Sequence, residues 1–166
     1  MLFVKSILLS IFYILLSTSI VLAQYEVDPI VDNDMKLQFS APEGWKTTKK
    51  ADGYLMGSPN TNGFMIIKVQ SIPTISSLKS AMEQGLQLED GTKLEPVGEL
   101  NMLGSLGVSG MYIGTIDGTE MKGFLMALMP PSKGRAVICI SVAPIYLFNQ
   151  TNMDELKTLL RSVIFL

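Results

Sequence analysis

Residues Leu106–Ala143, LGVSGMYIGTIDGTEMKGFLMALMPPSKGRAVICISVA, carry three apolar runs separated by glycine and turn residues. Ile116 and Thr119 flank Asp117-Gly118, a dipeptide that adopts the positive backbone dihedrals a two-residue hairpin needs. Pro130 to Gly134 makes a second, wider turn. In Gly123–Met129 and Ala136–Val142 both alternate sets of side chains are largely apolar, so both faces of these strands must be covered by helices or another layer. The stretch is therefore expected to form three consecutive strands at the middle of an antiparallel sheet.

Working outward, Leu37–Phe39 alternates with polar neighbours and ends in the turn Ala41-Pro42-Glu43-Gly44-Trp45. Lys46 to Asp52 reads as a basic loop, Gly53–Ser58 as a short strand, 59–63 as a turn cluster and Phe64–Ile72 as a strand. From Ile75 the apolar period changes. Ile75, Leu78, Met82, Leu86 and Leu88 with Ala81 predict an amphipathic helix, capped by Thr74 or Ser76 and stopped by Asp90-Gly91. Lys93–Asn101 predicts another strand. A terminal helix begins at Thr151 and buries Met153, Leu156, Leu159, Leu160 and Val163, with Asp154 and Glu155 favouring its dipole in the first turn. Gln24 to Met35, with Asp28, Asp32 and Asp34, is expected to be an irregular, solvated acidic lead-in. The fold class is thus α+β: one domain over 24–166, a mainly antiparallel sheet of about six or seven strands packed with two helices.

Residues 1–23 follow the order of a secretory signal peptide. Lys5 precedes the apolar run Ile7–Leu16, then come small and polar residues with Val21 and Ala23 at the positions signal peptidase reads. Cleavage is expected before Gln24. The competing reading, a retained anchor, is weakened by Ser10, Ser17, Thr18 and Ser19 and by the absence of stop-transfer charges after the run. Cleavage leaves 143 of 166 residues with 12 basic and 15 acidic side chains, a net charge of −3. That length supports one core burying roughly two thirds of the unfolded surface. Cys139, the single cysteine, offers no intrachain disulfide.

The mild acidity argues against a nucleic-acid partner. The sequence has no histidine, which removes the commonest general base and metal ligand. Ser76-Ser77-Leu78-Lys79 matches an S-x-x-K pattern at a helix start, but a capping serine and an exposed lysine explain it as well, and no K-T-G partner accompanies it. Cys139 lies in an apolar strand and is expected to be inert core. Of the 11 methionines, Met121 and Met129 fall on one strand face and Met126 on the other, so these thioethers do not converge on a soft metal and read as core filler. The Asp28–Asp34 acids lack the glycine and glutamate of a calcium loop, and Gly104–Gly110 lacks the lysine and helix of a phosphate loop. No catalytic residue, metal site or cofactor is expected.

What remains is binding. Trp45, Lys49 and Tyr54, with Lys46 and Lys50, gather in one early segment as a candidate surface for an acidic or aromatic partner; alternatively Trp45 anchors its turn on the core.

The turn Leu37-Gln38-Phe39-Ser40-Ala41-Pro42-Glu43-Gly44-Trp45, the helix Ser76 to Glu89, the meander and the terminal run Leu156 to Phe165 together resemble the PsbP-like superfamily. That superfamily includes photosystem II extrinsic proteins, a Ran-binding nuclear import factor and many secreted bacterial domains. The resemblance spans nearly all of 24–166. It implies an antiparallel sheet sandwiched by helices and, for most bacterial members, no catalytic residues; no family metal site carries over. The expectation is a secreted or periplasmic, non-enzymatic accessory or binding protein with an envelope protein partner and no membrane insertion after signal cleavage. Two other functions stay open: an envelope carrier of an apolar small molecule held between sheet and helix, and a serine hydrolase using Ser76 and Lys79.

Overall fold

The computed structural model describes residues 28–59, 63–88, 91–130 and 134–166. The leader reading of residues 1–23 lies outside them. In chain order the elements are β1 (Ile30–Asp32), β2 (Leu37–Phe39), β3 (Lys46–Lys50), β4 (Gly53–Gly57), β5 (Phe64–Gln70), α1 (Ile75–Glu83), β6 (Leu86–Gln87), β7 (Lys93–Met102), β8 (Gly107–Ile116), β9 (Thr119–Leu128), β10 (Ala136–Pro144), α2 (Gln150–Arg161) and β11 (Ile164–Phe165). An eight-stranded sheet runs β3-β4-β5-β10-β9-β8-β7-β6, and a small sheet runs β1-β2-β11. Each strand pair is antiparallel.

The opening stretch is the centre of the molecule, as its two-sided apolarity requires. Asp117 and Gly118 take φ of 48° and 77°, the left-handed pair of a type I′ hairpin, and fix the β8–β9 register from Ile116↔Thr119 onward. β10, hydrogen-bonded to β5 and β9, is buried along its length up to Pro144. Its Ile138, Ile140 and Val142 pack with Val108, Tyr112, Leu125 and the α1 residues Leu78 and Met82. Its Val137 and Cys139 face the opposite core, with Met56, Met65 and Ile67 beneath Leu37, Phe39, Trp45 and the α2 residues Leu156, Leu159 and Leu160. The α+β single-domain reading holds.

Among the described residues the strands number eleven, because four of them carry no apolar alternation long enough to register in sequence. Lys46–Lys50, expected as a loop, is β3, an edge strand; an edge has one side open to solvent and needs no apolar pattern. Within the expected acidic lead-in, Ile30–Asp32 forms β1, and the last strand, β11, comprises two residues. α1 is capped at Thr74, whose Oγ1 accepts the Ser77 N–H at 3.1 Å. It ends after Glu83, seven residues before the expected Asp90 stop. Gly85 takes φ +93°, and Leu86 then pairs with Leu94 as β6. α2 starts at Gln150, one residue earlier than expected, on a capping box between Asn149 and Asn152.

The two covering layers are staggered. α1 lies mainly over β7 and β8, whereas α2 lies over β10 and β9 on the other face, beside the small sheet. On the α1 face, β4 and β5 extend beyond the helix and leave Leu55, Phe64 and Ile66 only half-buried.

Candidate functional site

That uncovered corner holds a hollow of about 290 Å³, floored by Leu55, Phe64, Ile66, Leu88 and Ile116 and rimmed by Lys50, Asp52 and Lys68. The strand pleat builds it, since Phe64, Ile66 and Lys68 point to one face at successive alternate positions, opposite Gly57, Leu55 and Gly53 of β4. Lys68 is 7% exposed, and its ammonium reaches the Asp52 carboxylate in the β3–β4 turn at 3.0 Å. Its methylenes extend the apolar floor while its charge is held at the rim. Gly53 permits this geometry, because a Cβ there would stand 1.9 Å from the Ile67 carbonyl oxygen. A second, shallower hollow of about 400 Å³ shares Leu55 and Phe64 and is bordered by Lys46, Thr48, Ser58 and Pro59. Together they form a groove along β3 and β4 with an apolar bed and a lysine border.

Of the sequence-predicted residues Trp45, Lys49 and Tyr54, only Tyr54 borders the hollow. Lys49 and Tyr54 are opposite one another in the β3–β4 register and meet on Asp32. The Tyr54 hydroxyl donates to Asp32 Oδ2 at 2.7 Å and Lys49 Nζ reaches the same oxygen at 2.9 Å. The Asp34 and Met35 N–H groups each donate to Oδ1 at 3.0 Å. Asp32, expected to be solvated, is buried. The Met35 amide, then Tyr54 and Lys49, hold its carboxyl well below the usual carboxylate range. Burial, then the bond to Asp32, pushes Tyr54 up to about 12. Tyr54 also meets Phe39 edge-on, with centroids 5.1 Å apart. This knot ties β1 to the β3–β4 hairpin. Trp45 is buried in the α2-side core, and burial raises the carboxyl of Glu155 on α2. Of the three predicted residues, only Lys49 is exposed.

The other chemical candidates are placed as follows. Ser76 is exposed on the first turn of α1, and Lys79 lies 3.5 Å from Glu83 along the same helix. Cys139 is fully buried, and burial pushes its thiol far up from the ordinary range. Met121 and Met129 pack into the α1-side core and Met126 into the α2-side core, as strand alternation demands. Gly107 serves close strand packing, since a Cβ would meet the Ala127 carbonyl oxygen at 2.1 Å. Among the described residues no three acidic or cysteine side chains gather as a metal site, and no helix is long and apolar enough to cross a membrane.

Sequence reasoning missed Asp32, Asp52 and Lys68. A usable signal existed for Lys68 alone: a lysine inside the apolar run Phe64–Val69 must either snorkel or find a partner. Nothing local marks Asp32, whose side-chain partners are Lys49 and Tyr54, the latter 22 residues along the chain.

No protein-family model matches the chain, and no curated protein matches its sequence. Solved structures do match its shape. The Ran-binding protein Mog1p of Saccharomyces cerevisiae superposes with a TM-score of 0.57 at 6% identity, over 82% of this chain and 94% of that one. A protein of Bacteroides thetaiotaomicron gives 0.52 at 15% identity over 83% of this chain; the match spans about half (48%) of the Bacteroides chain. LpqN of Mycobacterium tuberculosis, described as involved in cell envelope biogenesis, gives 0.49 at 15% identity, over 81% and 87% of the two chains. The staggered two-sided sheet described above is therefore the Mog1/PsbP-like fold.

Proposed function

We propose that this protein is a secreted or periplasmic, non-enzymatic binding domain that serves as an accessory protein of the cell envelope, and that the groove along β3 and β4 is the face that takes its partner. The observation that carries this reading is the bed of Leu55, Phe64 and Ile66, left half-buried by the stagger of α1 and bordered by lysines. An exposed apolar patch with a polar rim is the ordinary form of a recognition site. The envelope location rests on the leader pattern of residues 1–23. The non-enzymatic assignment is supported by the lack of histidine, the burial of Cys139 and the surface position of Ser76. Mog1p is a Ran-binding protein, so the fold can serve protein recognition, although a fold alone does not dictate a function.

A protein partner fits the groove better than a carried small molecule. The hollow of about 290 Å³ sits at the small end of ligand cavities, which run from roughly 300 to 1,000 Å³. It continues into the shallower hollow beside β3 rather than closing over a ligand. The test is site-specific photocrosslinking in the native envelope, with benzoylphenylalanine placed at Thr48 in the groove or at Ile113 on the opposite, exposed sheet face. A discrete adduct from Thr48 and none from Ile113 is expected. No adduct from Thr48, or the same adducts from both positions, contradicts the assignment.

A further inference from the structure

We propose that the protein carries a second docking surface, formed by the turn Pro144–Phe148 and the end of the β8–β9 hairpin, which takes an arginine-bearing segment of a protein partner. Its contact residues Tyr146, Ile145, Glu120 and Asp117 lie outside the lining of the groove. Tyr146 is 77% exposed, the largest exposure of any large apolar side chain among the described residues, and Ile145 beside it is 45% exposed. The backbone that presents them is fixed. Ile145 N–H donates to the Glu120 carbonyl at 2.9 Å, which carries the β10–β9 pairing one residue past Pro144↔Met121. The Leu147 and Phe148 N–H groups both donate to the Pro144 carbonyl, at 2.9 and 3.0 Å, and Asn149 Nδ2 donates to the Leu147 carbonyl at 3.2 Å. Asn149 then caps α2. Tyr146 is thus held out on a closed turn, with little chain entropy left to lose on binding.

The charges around that turn select the partner. Residues opposite one another in a sheet share a face, so Ile145 and Glu120 lie side by side, and Lys122 follows Glu120 on the same face of β9. Lys122 is spent on the turn itself. Its ammonium stands 5.7 Å from the centroid of the Phe148 ring, within the range of a cation–π contact. The turn therefore already holds one cation over Phe148, and Tyr146 is the ring left open. Among the described residues no cation pairs with Glu120 or with Asp117 at the tip of the hairpin, and both side chains are exposed. An open aromatic ring beside two uncompensated carboxylates is complementary to a guanidinium, which stacks its plane on the ring and offers its N–H fork to a carboxylate. An acidic segment is repelled here, and a wholly apolar one strips water from the carboxylates without replacing it. Tyrosine and arginine are also the residue types that most often dominate protein interfaces.

The test is an NMR titration of the isotope-labelled protein, purified from the envelope, with the peptide acetyl-Ser-Arg-Ser-Arg-Ser-amide and with versions carrying citrulline or Glu for Arg. The parent peptide should shift the amides of Glu120, Ile145 and Tyr146 and leave that of Thr48 in the groove unmoved. Citrulline keeps the plane of arginine without its charge and should bind about fivefold more weakly, and the Glu version should cause no shift. Tyr146→Ala should weaken the parent peptide about three- to fivefold, while Tyr146→Phe, which keeps the ring, should stay within about twofold. Asp117→Asn combined with Glu120→Gln should weaken it by a similar three- to fivefold, roughly the worth of exposed charge pairs. These positions are exposed, so the substitutions leave the core untouched. No shift at millimolar peptide, or shifts confined to other surfaces, overturns the inference. Undiminished binding by Tyr146→Ala, by the neutralised variant or of the citrulline version overturns it as well. The Thr48 crosslink reports on the groove separately, so failure here leaves that reading standing.

Discussion

Replacing Asp32 with Asn tests whether one buried carboxylate ties the small sheet to the β3–β4 hairpin. The side-chain amide keeps an oxygen for the Asp34 and Met35 N–H groups but turns a second donor toward the Tyr54 hydroxyl and Lys49 Nζ, where Oδ2 now accepts at 2.7 and 2.9 Å. A hydrogen bond to a charged group contributes about 1.5–3 kcal/mol. Because the Lys49 side chain is 56% exposed, its contact is discounted for solvent and the Tyr54 bond dominates. The expected cost is about 2 kcal/mol at pH 7, or a fall of about 6 °C in Tm. The pH dependence follows from the direction of the Asp32 shift. Its folded value lies below the ordinary 3.8, so its stabilisation is fully present above that value and is lost as pH falls through the folded one. Asn does not titrate, so the gap between the two proteins should be constant from pH 7 to 5 and should narrow below about pH 4. Urea unfolding followed by the emission of Trp45, the single tryptophan, measures it. An equal midpoint at pH 7, or a gap that persists undiminished to pH 3, would refute the reasoning.

Gly53→Ala should cost about 3 kcal/mol or prevent folding, since the new methyl would meet the Ile67 carbonyl; Gly57→Ala, with nothing within 4 Å, should change stability by less than about 1 kcal/mol, both read from urea midpoints. Tyr112→Phe removes the buried hydroxyl that donates to the Met82 carbonyl at 2.7 Å and should cost about 1–2 kcal/mol, with faster amide exchange at the C-terminal end of α1. Cys139 should not react with Ellman's reagent in the native protein and should react stoichiometrically in urea, because burial removes both access and thiolate. Edman sequencing of the protein recovered from the envelope should begin at Gln24; an intact Met1 would argue for a retained anchor.

The centre of the fold was legible because its signals are local. The Asp117-Gly118 turn fixes one hairpin, and two-sided apolar runs in β9 and β10 demand cover on both faces. Alternation alone separated Met126 from Met121 and Met129. The failures lie where the decisive partner is distant. Leu86 and Leu88 continue the helical spacing of Leu78 and Met82, yet Gly85 ends the chain's helical course, and a Cβ there would stand 2.7 Å from the Leu94 carbonyl of β7. Lys46–Lys50 has no apolar period, and only its two threonines hint at a strand. The candidate site was the least legible part. Trp45 and Tyr54 drew attention as large aromatics but belong to the core, whereas the groove depends on where α1 stops, a property of packing between elements rather than of any segment.

The most direct test of the central claim, that the groove along β3 and β4 takes the partner, is the photocrosslink from Thr48 in the native envelope. The account predicts a discrete adduct from Thr48 and none from Ile113 on the far face. No adduct from Thr48, or the same adducts from both positions, would contradict it.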